Sequence, residues 1–237
     1  MKNKKTKISI VIPCYNESEN LESLLGSCQK SIAKEPIEVI LVDNGSNDTT
    51  QEVLGEVLHK YPFASAVRVI KNKGYGYGIL QGLKVAKSDY IGWTHADLQT
   101  NPADVLEALK IIKDNKNSKN LFIKGKRHGR SLFDVFFTIS MSIFNTIVLR
   151  VGLSDINAQP TIFHKGFFKS WKNPPLDFSL DLYSYYLAKR QKLKIYKIPV
   201  YFGKRVAGEA HLKDIRSKIR YSIQSIKYTF SIKKWTY

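Results

Sequence analysis

S-D-Y-I-G-W-T-H-A-D-L-Q-T-N-P, residues 88–102, is the stretch on which the fold turns. Its apolar run, Tyr90-Ile91-Gly92-Trp93, has the length and composition of a buried strand. The run stops at a polar cluster, His95, Asp97 and Gln99, and Asn101-Pro102 then opens a helix. Alternate residues of an extended segment share a side, so an imidazole, a carboxylate and an amide fall together at the strand's end. Such a set suits a divalent cation, Mg2+ or Mn2+, that shares its shell with phosphate oxygens. A packed histidine beside a helix-capping aspartate would look the same in isolation, so the surroundings decide.

Upstream, strands and helices alternate. Residues 8–13 are a β-branched run stopped by Pro13, and residues 37–42 are a second buried strand. A third short strand is expected at residues 66–70. Helices follow each of the first two strands, with Leu21, Leu24, Leu25 and Cys28 on one apolar side and Val53, Val57 and Leu58 on the next. Each strand ends in polar turn chemistry: Cys14-Tyr15-Asn16-Glu17, then Asp43-Asn44-Gly45-Ser46. Asn72-Lys73-Gly74-Tyr75-Gly76-Tyr77-Gly78 reads as a loop before a helix over residues 79–86. Its glycines allow close backbone approach to a ligand or positive φ. This pattern predicts an α/β fold with a mostly parallel central sheet flanked by helices. Ligands of such sheets lie beyond the carboxyl ends of the strands, so the loops at Tyr15, Asp43, Gly74 and Asp97 should converge on one crevice.

The second half is less regular. A helix over residues 103–113 leads to a strand at 121–124, and Gly125-Lys126-Arg127-His128-Gly129-Arg130 reads as a basic loop suited to phosphate. Residues 132–149 are apolar but contain Asp134 and Asn145, which makes them a poor transmembrane span and predicts a buried or membrane-surface helix. Strands are expected at 161–163 and 194–202, with a helix at 178–188. Residues 211–235 form a basic amphipathic C-terminal helix whose stripe, Ile215, Ile219, Ile223, Ile226 and Phe230, is expected on the core.

The chain has 237 residues, 38 Lys+Arg against 20 Asp+Glu, and a net charge of +18. That field attracts an anionic membrane surface or polyanions. A nucleic-acid binder is a third-ranked reading, because no groove-reading motif is present. Two cysteines in no metal spacing read as reduced, buried thiols of a cytoplasmic protein. The start of the chain lacks the apolar core of a signal peptide. The expected organisation is one domain over 1–237, with a nucleotide-pocket half (1–100), a half for the other substrate (101–210) and the basic helix (211–237).

With these motifs assembled, the chain resembles family 2 glycosyltransferases of the GT-A fold, nearest to the dolichol-phosphate mannosyltransferase and polyprenyl-phosphate sugar synthase branch. I-S-I-V-I-P-C-Y-N-E, V-D-N-G-S-N-D-T-T, N-K-G-Y-G and A-D-L-Q stand in the family's order and spacing, and G-K-R and R-x-x-G-E resemble later motifs. The resemblance implies inverting transfer of a sugar from a nucleotide-diphosphate donor to a lipid-phosphate or glycan acceptor, at the inner face of the cell membrane. A catalytically silent nucleotide-sugar binder is the alternative. The implied donor set is Pro13, Tyr15, Glu17, Asp43, Asn44, Gly74, Ala96, Arg127 and Arg205. The implied metal set is His95, Asp97 and Gln99. Asp97 would serve the leaving diphosphate. If the acceptor is a hydroxyl, Asp181 is the expected base and Asp155 an acceptor-side or positioning residue. The chain departs from the family's pattern at Asn44 and His95, where aspartates are usual, and at Ala210-His211, where Ser-Lys is usual. No fused transmembrane region is expected.

Overall fold

The computed structural model describes residues 7–203 and 215–234. Seven strands, β1 (Ile8–Cys14), β2 (Ile37–Asn44), β3 (Ala64–Val69), β4 (Tyr90–Trp93), β5 (Leu121–His128), β6 (Thr161–His164) and β7 (Lys194–Tyr201), form one sheet. Their order is β3-β2-β1-β4-β6-β5-β7. The first four are parallel neighbours, as are β5 and β7, and β6 runs antiparallel between β4 and β5. The chain leaves β1 toward β2 on one side and returns to β4 on the other. A crevice opens at such a reversal.

Among the described residues eight α-helices accompany the sheet: α1 (Ser18–Ser31), α2 (Thr50–Val57), α3 (Tyr75–Val85), α4 (Asp104–Asp114), α5 (Leu132–Leu149), α6 (Lys165–Lys169), α7 (Ser179–Arg190) and α8 (Ile215–Lys234). The period-two alternation of β1 feeds two cores. Ile8, Ile10 and Ile12 pack with Leu21, Leu24 and Leu25 of α1 and with Val105 and Leu109 of α4. Val11 faces the other way, toward Ile79 and Leu83 of α3 and Leu180 of α7. Helix α3 lies so close to the sheet that a Cβ on Gly82 would stand 2.4 Å from Val11 Cγ1.

Three expectations change. Residues 125–128 are not a loop: β5 runs on through His128, pairing Lys126 with Pro199 and Arg127 with Val200. Helix α3 begins at Tyr75, inside the glycine-rich stretch. The apolar stripe of α8 does not face the core, since Ile219, Ile223 and Phe230 stand about half exposed. Its inward side is instead Tyr228, Thr229 and Ile232.

Helix α5 is inside-out. Its buried positions include Ser142 and Asn145, while Leu132, Phe136 and Ile147 are 88%, 71% and 70% exposed. Polar contacts hold the inner side: Arg130 donates to Thr138 Oγ1, Ser142 Oγ accepts from the Asp155 N–H, and Thr229 Oγ1 donates to Asn145 Oδ1. By length and composition alone the helix would suffice to cross a bilayer, contrary to expectation. Its polar side is nevertheless committed to contacts within the fold.

Candidate active site

A cavity of about 460 Å³ lies beyond the carboxyl ends of β1, β2 and β4. Pro13, Tyr15, Glu17, Asn44, Gly74, His95, Ala96, Asp97, Gln99, Arg127 and Asp181 all line it. These residues span most of the described chain, and the parallel sheet is what gathers them. Asp43 and Asp155 are not among the lining residues, and Arg205 lies outside the described residues.

The nucleoside side is cross-braced. Asn16 donates its N–H to Ser46 Oγ and accepts from the Asn47 N–H, tying the β1 loop to the β2 loop. The Glu17 N–H donates to Thr50 Oγ1 at 3.0 Å, and the Glu17 carboxylate accepts from Asn20 Nδ2 at 2.5 Å. Asp43 spends one oxygen on the Ser46 N–H in its own turn and faces Arg68 with the other. Asn44 donates its amide to the Gly74 carbonyl at 3.0 Å. A carboxylate cannot donate there, which gives a physical reason for asparagine at this position. Gly74 sits at φ +116°, and a Cβ on it would meet the Leu176 carbonyl oxygen at 2.4 Å. Gly76 and Gly78 approach protein, not ligand: their added Cβ atoms would meet the carbonyls of Pro175 and Asp177 and the side chain of Asn44.

At the end of β4 the Asp97 carboxylate accepts the Gln99 N–H at 3.2 Å across Leu98, which takes φ +56°. The Gln99 side chain donates to the Gly203 carbonyl, and the Gly203 N–H returns to the Gln99 carbonyl. Gln99 thus fastens the loop to the end of β7. Phe202 stands between His95, 6.2 Å away edge-on, and the Arg127 guanidinium, 5.5 Å over its ring. Among the described residues no three His, Cys, Asp or Glu side chains gather as a cage. One carboxylate and one imidazole on a shared wall fit a cation that completes its shell with diphosphate oxygens and water. They do not fit a cation held by protein alone.

Under the cavity is a buried ionic layer, of which sequence reading named Arg127, Asp155 and Asp181 and missed Lys124. Lys124, 1% exposed, donates to the carbonyls of Asp155, Ile156 and Ala158 at 2.6, 3.2 and 3.4 Å. Its only sequence signal was a lysine ending an apolar strand run. Burial pushes the Lys124 ammonium toward neutrality, and Asp155 and Asp181 oppose that. Asp155 itself grips Arg127. Burial works against its charge, but the Arg127 charge and hydrogen bonds outweigh burial and hold the carboxyl below its ordinary range. Asp181 is fully buried at the cavity floor, accepting from Trp93 Nε1 at 3.1 Å and close to Tyr75. Burial pushes its carboxyl up, against the pull of Lys124, Trp93 and Arg127. Tyr75 stacks on Phe178 at 4.3 Å, and Phe178 meets Tyr221 edge-on at 4.5 Å.

A second cavity, of about 380 Å³, adjoins the first and shares Gln99, Arg127, Asn157, Phe178, Phe202 and Tyr221 with it. It extends between α5 and α8 along Arg130, Thr138, Met141, Ser142 and Ser225. The Arg130 side chain is 9% exposed, and its Nε is buried without a hydrogen-bond partner among the described residues.

The family model of glycosyl transferase family 2 matches residues 9–133, which include both braced loops and the Asp97 loop. The chain belongs to this family. Dolichol-phosphate mannosyltransferase of Pyrococcus furiosus is 30% identical over 241 residues, covering 97% of this chain and 64% of that protein. Undecaprenyl-phosphate 4-deoxy-4-formamido-L-arabinose transferase of Pectobacterium atrosepticum is 40% identical over 104 residues, 41% of this chain and 31% of that one. The chain therefore spans less than two thirds of the length of these curated relatives. Among solved structures, glucosyl-3-phosphoglycerate synthase of Mycobacterium tuberculosis, in complex with Mn2+, UDP and glucosyl-3-phosphoglycerate, superposes with a TM-score of 0.71 at 16% identity. That match covers 96% of this chain and 80% of the other. A mannosyltransferase of Pyrobaculum calidifontis, in complex with GDP-Man and Mn2+, gives 0.68 at 14% identity, covering 97% and 65%. The two structures share this GT-A architecture, as expected from the sequence of a family 2 glycosyl transferase.

Proposed function

We propose that this family 2 chain is an inverting glycosyltransferase that moves a sugar from a nucleoside-diphosphate donor to a polyprenyl-phosphate acceptor. The observation that carries the reading is the pair of cavities meeting at Arg127, the second lined by Arg130, whose buried Nε has no hydrogen-bond partner among the described residues. The donor nucleoside occupies the wall of Pro13, Tyr15, Glu17 and Asn44, and the diphosphate lies between Asp97 and Arg127. The acceptor phosphate enters the second cavity toward Arg130, whose planar fork suits phosphate oxygens.

An acceptor phosphate oxygen bonds to the anomeric carbon as the bond from that carbon to the β-phosphate oxygen breaks. The electron pair leaves with the nucleoside diphosphate, and attack from the opposite face inverts the configuration. The acceptor is already an anion, so no base is needed. Asp155 then serves to aim Arg127, and Asp181 works from beneath. A divalent cation, Mg2+ or Mn2+, held by Asp97 and His95 with the diphosphate, would neutralise charge on the leaving group.

In this reading the chain is one transferase unit on the cytoplasmic face of the membrane. Residues up to 100 serve the donor and residues 101–210 the acceptor. The apolar side of α5 and the exposed stripe of α8 lie on the bilayer, helped by the net charge of +18.

The test is transfer by the purified chain, with Mn2+ or Mg2+, from a panel of labelled nucleotide sugars to a short-chain polyprenyl phosphate. Label in the organic phase supports the reading. Label only on glycan hydroxyls overturns the acceptor assignment, and donor binding with neither transfer nor hydrolysis favours a silent binder. Near-normal turnover by Asp97→Ala would sink the metal-site assignment.

A further inference from the structure

The sheet order divides the donor cavity. The nucleoside wall stands over β1 and β2, and the Asp97 loop leaves β4. The next strand is β6, whose first residue, Thr161, pairs with Trp93 at the same end of the sheet. Gln159 therefore emerges beside the Asp97 loop, on the side away from the nucleoside. Its backbone is held firmly there. Gly125 of β5 donates to the Pro160 carbonyl, and a Cβ on Gly125 would stand 2.2 Å from the Gln159 carbonyl oxygen.

The Gln159 side chain is 1% exposed, yet it lines the cavity. Its Nε2 donates to the Tyr75 hydroxyl, and its Oε1 has no hydrogen-bond partner among the described residues. The amide heads a relay of polar groups. The Tyr75 hydroxyl also lies close to the Asp181 carboxylate. The tyrosine oxygen accepts from Gln159, which leaves its own hydrogen free to turn toward Asp181. Trp93 Nε1 donates to the same carboxylate from below. The amide nitrogen is thereby committed to Tyr75, and the oxygen stays buried and unpaired among the described residues in a side chain that lines the cavity. A buried, partnerless carbonyl oxygen costs free energy unless a ligand supplies a donor.

We propose that Gln159 accepts a hydrogen bond from a hydroxyl of the transferred sugar and so sets which sugar the enzyme takes, with Tyr75 and Asp181 as its positioning residues. This rests on the donor-cavity reading above. The buried Oδ1 of Asn44, also partnerless among the described residues, lies over β2 on the nucleoside side and is not part of the relay. A sugar hydroxyl is the donor this site fits, because the diphosphate at the neighbouring Asp97 loop carries acceptors only.

The experiment is calorimetric binding in Mn2+ of UDP, GDP, UDP-glucose, UDP-N-acetylglucosamine and GDP-mannose, with monodeoxy analogues of the nucleotide sugar that binds best. Gln159→Leu should weaken that nucleotide sugar by about tenfold and leave the bare nucleoside diphosphate unchanged. One deoxy position should cost the wild type about tenfold and cost Gln159→Leu nothing. Tyr75→Phe keeps the ring on Phe178 but frees the amide, and should reproduce part of the sugar-specific loss. It also carries the test if Gln159→Leu does not fold. Equal losses for sugar and bare diphosphate, or no deoxy analogue whose penalty vanishes, overturn the proposal. Failure of the wild type to bind any of the five probes overturns the donor-cavity reading instead.

Discussion

Arg127 and Asp155 are locked by three contacts: the Arg127 N–H to Oδ2 at 2.6 Å, Nε to Oδ1 at 2.8 Å and Nη2 to Oδ1 at 2.5 Å. Both side chains are mostly buried, 13% and 10% exposed. Among the described residues Arg127 is the one cation that lines both cavities, so the integrity of the pair bears on stability and on the site together.

The first prediction concerns acid. Asp155 has a folded pKa below its unfolded value of 3.8. The unfolded chain therefore binds more protons at low pH, and the stabilisation is present above that value and lost as pH falls through it. Melting temperature should drop more steeply in wild type than in Asp155→Asn between about pH 5 and pH 3. Parallel curves would show that the pair contributes no linkage. At neutral pH Asp155→Ala should cost about 3–5 kcal/mol in chemical denaturation, because Arg127 is left buried and unpaired.

Lys124 gives a second prediction. Its ammonium satisfies three carbonyls of the 155–158 turn, beneath Asn157 and Gln159. Lys124→Met fills the volume but strands those carbonyls, at about 1–3 kcal/mol for each unsatisfied group. Denaturant midpoints should fall accordingly, and both cavities should loosen, seen as faster amide exchange at 155–159. Unchanged exchange would mean that the turn holds without the lysine.

Asn44 is the third case. Asn44→Asp restores the residue usual in the family but sets a carboxylate against the Gly74 carbonyl 3.0 Å away. The substitution should destabilise by about 1–3 kcal/mol and weaken nucleotide binding through the displaced Gly74 loop. Wild-type melting and nucleotide affinity in the variant would show that the Gly74 contact does not matter.

What the sequence showed and what it hid follow from the range of each signal. The Tyr90–Trp93 strand, the first two strands and their polar turns were legible because period and turn chemistry are local. The gathering of Tyr15, Asn44, Asp97 and Arg127 was legible because a parallel sheet aligns its carboxyl ends. The extension of β5 through Arg127 was hidden. Glycine and charge at 125–128 look like a loop, whereas Gly125 is needed for close approach of Gln159 and Arg127 is neutralised by a residue 28 positions away. The apolar stripe of α8 was visible, but periodicity does not say which way a stripe faces. The polar inner side of α5 had the same ambiguity, since the sequence does not show which way Ser142 and Asn145 face until their partners across the fold are known.

That inside-out helix supports the last prediction. An exposed apolar face of this kind on a water-soluble surface marks a contact site. Replacing Phe136, Ile143 and Ile147 with serine removes apolar side chains that touch solvent, so folding stability should change by no more than about 0.5 kcal/mol per site. Membrane affinity should change far more, since each such side chain buried in lipid is worth about 1.5–3 kcal/mol. Sedimentation with phosphatidylglycerol vesicles is the measurement. Wild type should bind and the triple variant should not, with the wild-type binding weakened by salt because lysine-rich surfaces contribute through screened charge. Vesicle binding by the triple variant equal to wild type would remove α5 from the membrane contact and leave the charge of the chain as its cause.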